Sequence, residues 1–214
     1  VADIFNEVDE DLRRDRAERL WKAYGRYVIA FAVAIVLATG AWTWWTDQQR
    51  RQSAAEGDRF FAALASLDME NPGPTIAALD DLRRDAKSGF RVIALLHEAG
   101  LKARARDIAG ALALYDGIAA DPAVAQEFRD AATVLAALVL VESRPAAEID
   151  TRLAKLSAAG SPWRFSALEI SAAAALREGT AARARDLYAR IADDPAAPQG
   201  LRARAAEMLQ AIGS

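Results

Sequence analysis

The 214-residue chain sets 27 lysines and arginines against 30 aspartates and glutamates, for a net charge of −3, and has one histidine and no cysteine. That near-balance lacks the basic surplus of a nucleic-acid binder. Without thiols there are no disulfides, no thiolate chemistry and no cysteine-bound metals.

In chain order, residues 3–26 predict a short charged helix. Asp9 with Arg13, Glu10 with Arg14, Asp15 with Arg19 and Glu18 with Lys22 are all i,i+4 pairs with the acid first, the favoured orientation. Ile4, Phe5, Val8 and Leu12 form one apolar stripe, readable either as a contact for a membrane surface or partner or as a tail whose few apolar residues carry little meaning. Gly25 marks a hinge before the next segment.

Tyr27 to Trp45 is a run of 19 residues with no ionisable group except the tyrosine. As a helix it covers roughly 28 Å, close to the roughly 30 Å hydrocarbon core of a bilayer. Trp21, Tyr24 and Tyr27 open it and Trp42, Trp44 and Trp45 close it, so aromatic rings fall at both headgroup levels. A transmembrane helix is therefore expected, with Tyr27, Phe31, Leu37, Trp42, Trp44 and Trp45 as anchoring residues. A buried core helix rarely combines this length with two aromatic girdles. Cleavage at the small residues Ala38-Thr39-Gly40 is disfavoured by the long, mixed-charge segment ahead of them.

Six bases (Arg13, Arg14, Arg16, Arg19, Lys22, Arg26) lie near the run on its N-terminal side and three (Arg50, Arg51, Arg59) on the other. The positive-inside rule then places the N-terminus in the cytoplasm and the rest across the membrane. Three parts are expected: a cytoplasmic tail 1–26, a transmembrane helix 27–45, and a helical domain 46–214.

After Trp45 the helix is expected to run through a polar stretch into Phe60, Phe61, Leu64 and Leu67, until Asn71-Pro72-Gly73-Pro74 stops it. Beyond lie only helical periodicities: Thr75 to Lys87, Phe90 to Ala105, Ile108 to Ala119, Ala123 to Glu142, Ala146 to Leu156, Trp163 to Arg177, Ala181 to Ala192 and Leu201 to Ile212. No window alternates as a half-buried strand does, so the body reads as all-α.

Two segments of this body repeat. Residues 111–123 and 184–196 agree at 8 of 13 positions at an offset of 73, sharing A-x2-L-Y-x2-I-A-x-D-P-A. Alanine bias cannot place tyrosine, isoleucine, aspartate and proline in one register. The spacing matches the second helix of a tetratricopeptide unit, and the offset is about two such units of about 34 residues. Ala111, Tyr115, Ile118 and Pro122, with Ala184, Tyr188, Ile191 and Pro195, are the expected packing and terminating positions. Leu168, Ala172 and Ala175 fit the first helix of the later unit, and Ala123 to Leu156 forms a degenerate middle unit. The fold class is thus all-α: a single N-terminal transmembrane helix followed by a tetratricopeptide-like α-solenoid of helical hairpins with a groove on one side. Ser166, Glu169, Ala173 and Arg177 are the expected groove residues.

Residues for catalysis are sparse. His97, the lone histidine, has no second ligand or serine and carboxylate constellation at recognisable spacing, and reads as a solvated or core-edge residue. Asp80-Asp81 and Asp193-Asp194 sit where capping and solvation account for them. The glycines are scattered and build no phosphate loop. No enzyme, cofactor, metal or small-molecule substrate is expected.

The whole arrangement resembles the YfgM-type family of bacterial inner-membrane proteins, ancillary subunits of the Sec translocon. The resemblance rests on the charged tail DIFNEVDEDLRRDRAERLWKAYG running into the span, the polar helix Thr46 to Phe61, and the final unit from Ser161-Pro162-Trp163 through Tyr188. It implies a periplasmic, non-catalytic domain that associates with the Sec channel and with a membrane-anchored prolyl isomerase-like chaperone. An anchored repeat scaffold for another envelope or respiratory-complex assembly pathway is the alternative. An anchored hydrolase with an unrecognised site, to be tested at His97 and the carboxylates, is a third reading.

Overall fold

No proline precedes Pro72, and the computed structural model accordingly opens on a single helix, α1, over Ala2–Ala65. The structure describes residues 2–86 and 89–213, with backbone alone for 2–20, 23 and 28. The ion pairs and apolar stripe expected in the tail therefore lie outside the described side chains. The expected hinge at Gly25 is absent: the residue is helical and buried, with the Trp21 indole folded over it 3.2 Å from where a Cβ would stand.

The chain divides into two compact units, Val1–Ala54 and Ala55–Ser214. In the first, the side chains described through the apolar run are almost all exposed, Phe31 at 69% and Trp42 at 73%. The second is a succession of helices, and no strand occurs among the described residues. They are α2 (Gly73–Asp85), α3 (Phe90–Arg104), α4 (Ile108–Ala120), α5 (Gln126–Leu140), α6 (Ala146–Leu153), α7 (Arg164–Arg177), α8 (Ala181–Ala192) and α9 (Gln199–Gly213). Pro74 sits in the first turn of α2, where its fixed φ suits a helix and its missing N–H costs nothing.

Four local cores follow one another along the chain. Phe60 and Ala63 at the end of α1 meet Leu79 and Leu82 of α2 and Ala94 of α3. Ala99 of α3 meets Ala111, Tyr115 and Ile118 of α4 and Ala132 and Ala136 of α5. Val134 and Leu140 then close on Ile149 and Leu153 of α6 and Ala167 and Ile170 of α7. Leu168 and Ala172 on the opposite side of α7 close on Ala184, Tyr188 and Ile191 of α8 and Ala205 of α9. Each first helix thus gives one face to its own partner and another to the preceding pair.

Two rows result. The end of α1 with α3, α5, α7 and α9 forms the row of first helices, and α2, α4, α6 and α8 the row of second helices. Arg152 of α6 reaches back to Asp116 of α4, and Arg183 of α8 reaches back to Asp150 of α6, an ion-pair ladder down the second row. Part-exposed pairs of this kind contribute about 0–1 kcal/mol each, so they fix register more than stability.

The 73-residue repeat is also a repeat of geometry. Asp121 Oδ1 accepts the Ala123 N–H at 2.9 Å, and Asp194 Oδ1 accepts the Ala196 N–H at 2.9 Å, the same aspartate turn in both copies. This turn delays α5, which starts at Gln126 instead of the expected Ala123. It is also why Pro122 and Pro195 are exposed: they terminate helices and pack little. At the other end of the second helices, Asp107 N–H donates to Lys102 O and Thr180 N–H to Ala175 O, both at 2.9 Å, closing the same turn after α3 and α7.

That turn requires a left-handed residue. The later copy supplies Gly179 at φ +77°, whereas the earlier copy holds Arg106 at φ +66°. An L side chain there costs about 1–2 kcal/mol, partly offset by glycine's greater freedom in the unfolded chain. Arg106→Gly should therefore raise stability by roughly 0.5–1 kcal/mol and Gly179→Ala should lower it by about 1 kcal/mol, read as shifts of the urea midpoint at constant slope.

Candidate functional site

Three exposed or half-buried faces of the first-helix row make up the candidate site. On α5, the chain's central first helix, Glu127 and Leu138 are exposed, the latter at 55%. On either side of this ridge lies a shallow valley. Leu135 turns toward α3, where a pocket of about 490 Å³ is walled by Leu64, Leu96 and Leu135, floored by Tyr115 and rimmed by His97 and Arg104. Asp130 turns toward α7, where a pocket of about 540 Å³ is lined by Gln126, Glu127, Asp130, Pro162, Trp163 and Ser166. One valley is apolar with a cationic rim, and the other is an aromatic wall flanked by carboxylates.

The floor of the first valley depends on two residues. Gly100 has no side chain, and a Cβ there would stand 3.6 Å from the Tyr115 hydroxyl oxygen, so the phenol rises between α3 and α5. Tyr115 is 2% exposed, and burial raises the pKa of its hydroxyl. Tyr188, its counterpart in the later copy, is shifted the same way by burial and by the nearby charge of Glu169.

All four expected groove residues lie on one face of α7, but the structure uses them unequally. Ser166 lines the acidic valley and Ala173 is half-buried. Glu169 accepts two hydrogen bonds from Arg204 of α9, at 3.0 and 3.3 Å. Arg177 donates to the carbonyl of Glu142 at 3.4 Å and to that of Arg144, holding the loop after α5. Of the repeat residues, Ala111, Tyr115, Ile118, Ala184, Tyr188 and Ile191 are all buried in the cores.

The offset of 73 carries Glu169, Ala173 and Arg177 back onto Leu96, Gly100 and Arg104, all lining the apolar valley. Sequence reasoning names the later set and misses the earlier one, although the repeat itself contains the signal. In the later copy the face is closed by the chain's own side chains. In the earlier copy leucine replaces the glutamate, and among the described residues the Arg104 guanidinium meets the thioether of Met69, at 3.9 Å.

His97 is exposed, its ring 5.2 Å from that of Phe60 in an edge-on contact, as expected of a core-edge residue. Among the described residues no three histidine, aspartate or glutamate side chains converge as a metal site would require. Among the described residues the buried carboxylate is Glu98, 3% exposed, whose Oε2 lies 3.1 Å from Arg83 Nε of α2.

A family model described as a tetratricopeptide repeat-like domain matches residues 18–211. The chain belongs to the tetratricopeptide repeat-like family. No curated protein and no solved structure matches it. Tetratricopeptide-like domains are generally non-catalytic modules that bind protein partners, which agrees with a row of shallow valleys in place of a closed, polar cleft. The helix bearing Tyr27, Phe31, Leu37, Trp42, Trp44 and Trp45, all exposed, is long and apolar enough to cross a membrane.

Burial raises the Glu98 pKa above the ordinary carboxylate value, against the opposing pull of Arg83, with Asp80 adding to the rise. The folded state therefore binds the proton more tightly than the unfolded chain, so this group's contribution to stability is present at low pH and is lost as pH rises through the folded pKa. Glu98→Gln should remove that component. Relative to the native chain, the variant's stability should improve from pH 4 to pH 7, in paired urea titrations across that range.

Proposed function

We propose that this protein is a membrane-anchored, non-catalytic interaction module of the YfgM type, serving beside the Sec translocon. What carries the reading is the combination, in one chain, of an uncovered apolar helix with aromatic residues at both ends and a tetratricopeptide-like body whose first-helix row leaves apolar and charged valleys open. The charge asymmetry of six bases before the apolar run and three after it supports an N-terminus in the cytoplasm and a body in the periplasm. The span would hold the body at the channel exit and raise the local concentration of its valleys with no added contact. Emerging chains, the Sec channel and a membrane-anchored prolyl isomerase-like chaperone are the expected partners.

Topology can be read with a single probe because the chain has no cysteine. In Ala159→Cys, an exposed position, a membrane-impermeant maleimide should label intact cells once the outer membrane is permeable. Labelling only after lysis would place the body in the cytoplasm and end the periplasmic reading.

Partners are tested by purifying the full chain from native membranes in mild detergent and identifying what accompanies it. Sec channel subunits and an anchored prolyl isomerase-like chaperone should be enriched, and lost when residues 27–45 are replaced by an unrelated span. Recovery of assembly factors of another envelope or respiratory complex, without any Sec subunit, would replace the translocon with that pathway.

A further inference from the structure

The apolar valley at α3 carries an inference about what the body recognises. It deepens the interaction reading above and rests on it only in taking the partner to be a polypeptide. We propose that this valley is the primary anchor site of the groove, taking a leucine- or phenylalanine-sized side chain that lies next to an aspartate or glutamate in a partner's chain.

Four observations converge on it. The walls are aliphatic, Leu64, Leu96 and Leu135 from three different helices, and the volume of about 490 Å³ exceeds what one large side chain fills. The floor is Tyr115, 2% exposed, its hydroxyl oxygen 3.6 Å from where a Cβ at Gly100 would stand.

The rim supplies the charge. Arg104 has no carboxylate partner among the described residues, its guanidinium touching only the Met69 thioether. Arg106, two residues on and exposed, likewise pairs with no carboxylate there. A fork of N–H donors beside an apolar pocket matches a carboxylate adjoining an apolar side chain.

The internal repeat provides the contrast. At the equivalent place in the later copy Glu169 replaces Leu96 and is held by Arg204, and the arginine equivalent to Arg104 is spent on the carbonyls of Glu142 and Arg144. The same architecture has both states: satisfied from within at α7, left open at α3.

The test uses the full-length chain in detergent micelles and a fluorescein-labelled peptide, acetyl-Gly-Ser-Leu-Phe-Asp-Glu-Ser-Gly-amide, followed by fluorescence anisotropy. Two control peptides replace the acids by lysines or the apolar pair by serines, and empty micelles report partitioning. The acidic peptide should bind at least about tenfold tighter than either control, the change expected from one charge-assisted contact. Arg104→Glu should reverse the preference between acidic and lysine peptides. Gly100→Leu, which fills the valley from a helical position, should abolish binding, while Gly100→Ala should retain it; thermal unfolding of each variant confirms the fold.

Equal affinity for acidic and lysine peptides, or binding unchanged in Gly100→Leu, would overturn the proposal, as would the absence of saturable binding by the acidic peptide. These outcomes leave the partner-purification result unaffected, so failure here and failure of the translocon reading are separately visible.

Discussion

A helix pair in this body has one apolar face and nowhere to bury it except on the pair beside it. The four cores are the consequence: each first helix is apolar on two sides, one for its own partner and one for the preceding pair. Alanine at the crossing points, fully buried at Ala99, Ala111, Ala136, Ala172 and Ala184, lets the backbones approach closely enough for this nearest-neighbour packing. Everything functional about the body follows, because the sides of first helices that face neither partner nor neighbour are left as a row of valleys.

How much of this is legible in the sequence depends on the range of the interaction. The apolar run Tyr27 to Trp45 and the helix breaks at proline or glycine are encoded locally, and the helices begin or end within a few residues of where those signals fall. The 13-residue repeat is legible because A-x2-L-Y-x2-I-A-x-D-P-A combines a crossing point, a buried ring and an aspartate turn that share one register. Helix termini are read less well where a side chain competes with the helix, as when Asp121 claims the Ala123 N–H. Gly25 reads as a hinge because glycine lowers helix propensity, yet with the Trp21 ring lying against it the backbone stays helical.

The groove is legible only in part, for a physical reason. Periodicity identifies the face of α7 that carries Ser166, Glu169, Ala173 and Arg177, but whether a face is open depends on residues about 35 positions away, Arg204 for Glu169 and the Glu142 and Arg144 carbonyls for Arg177. No local pattern states that Arg104 lacks such partners among the described residues. Applying the repeat offset to the face itself, in addition to the motif, recovers Leu96, Gly100 and Arg104.

The Glu169–Arg204 contact also separates two demands that a repeated fold places on identical units. In the later copy this face of α7 is held by Arg204 of α9, whereas the corresponding face of α3 carries Leu96 in place of the glutamate and stays open. Duplication therefore leaves one copy tied to its neighbouring helix by an ion pair and the other free of that contact. A helix pair inserted ahead of α7 would lengthen the row and leave the Glu169–Arg204 contact intact, whereas one inserted between α8 and α9 would part its two residues and open the face of α7.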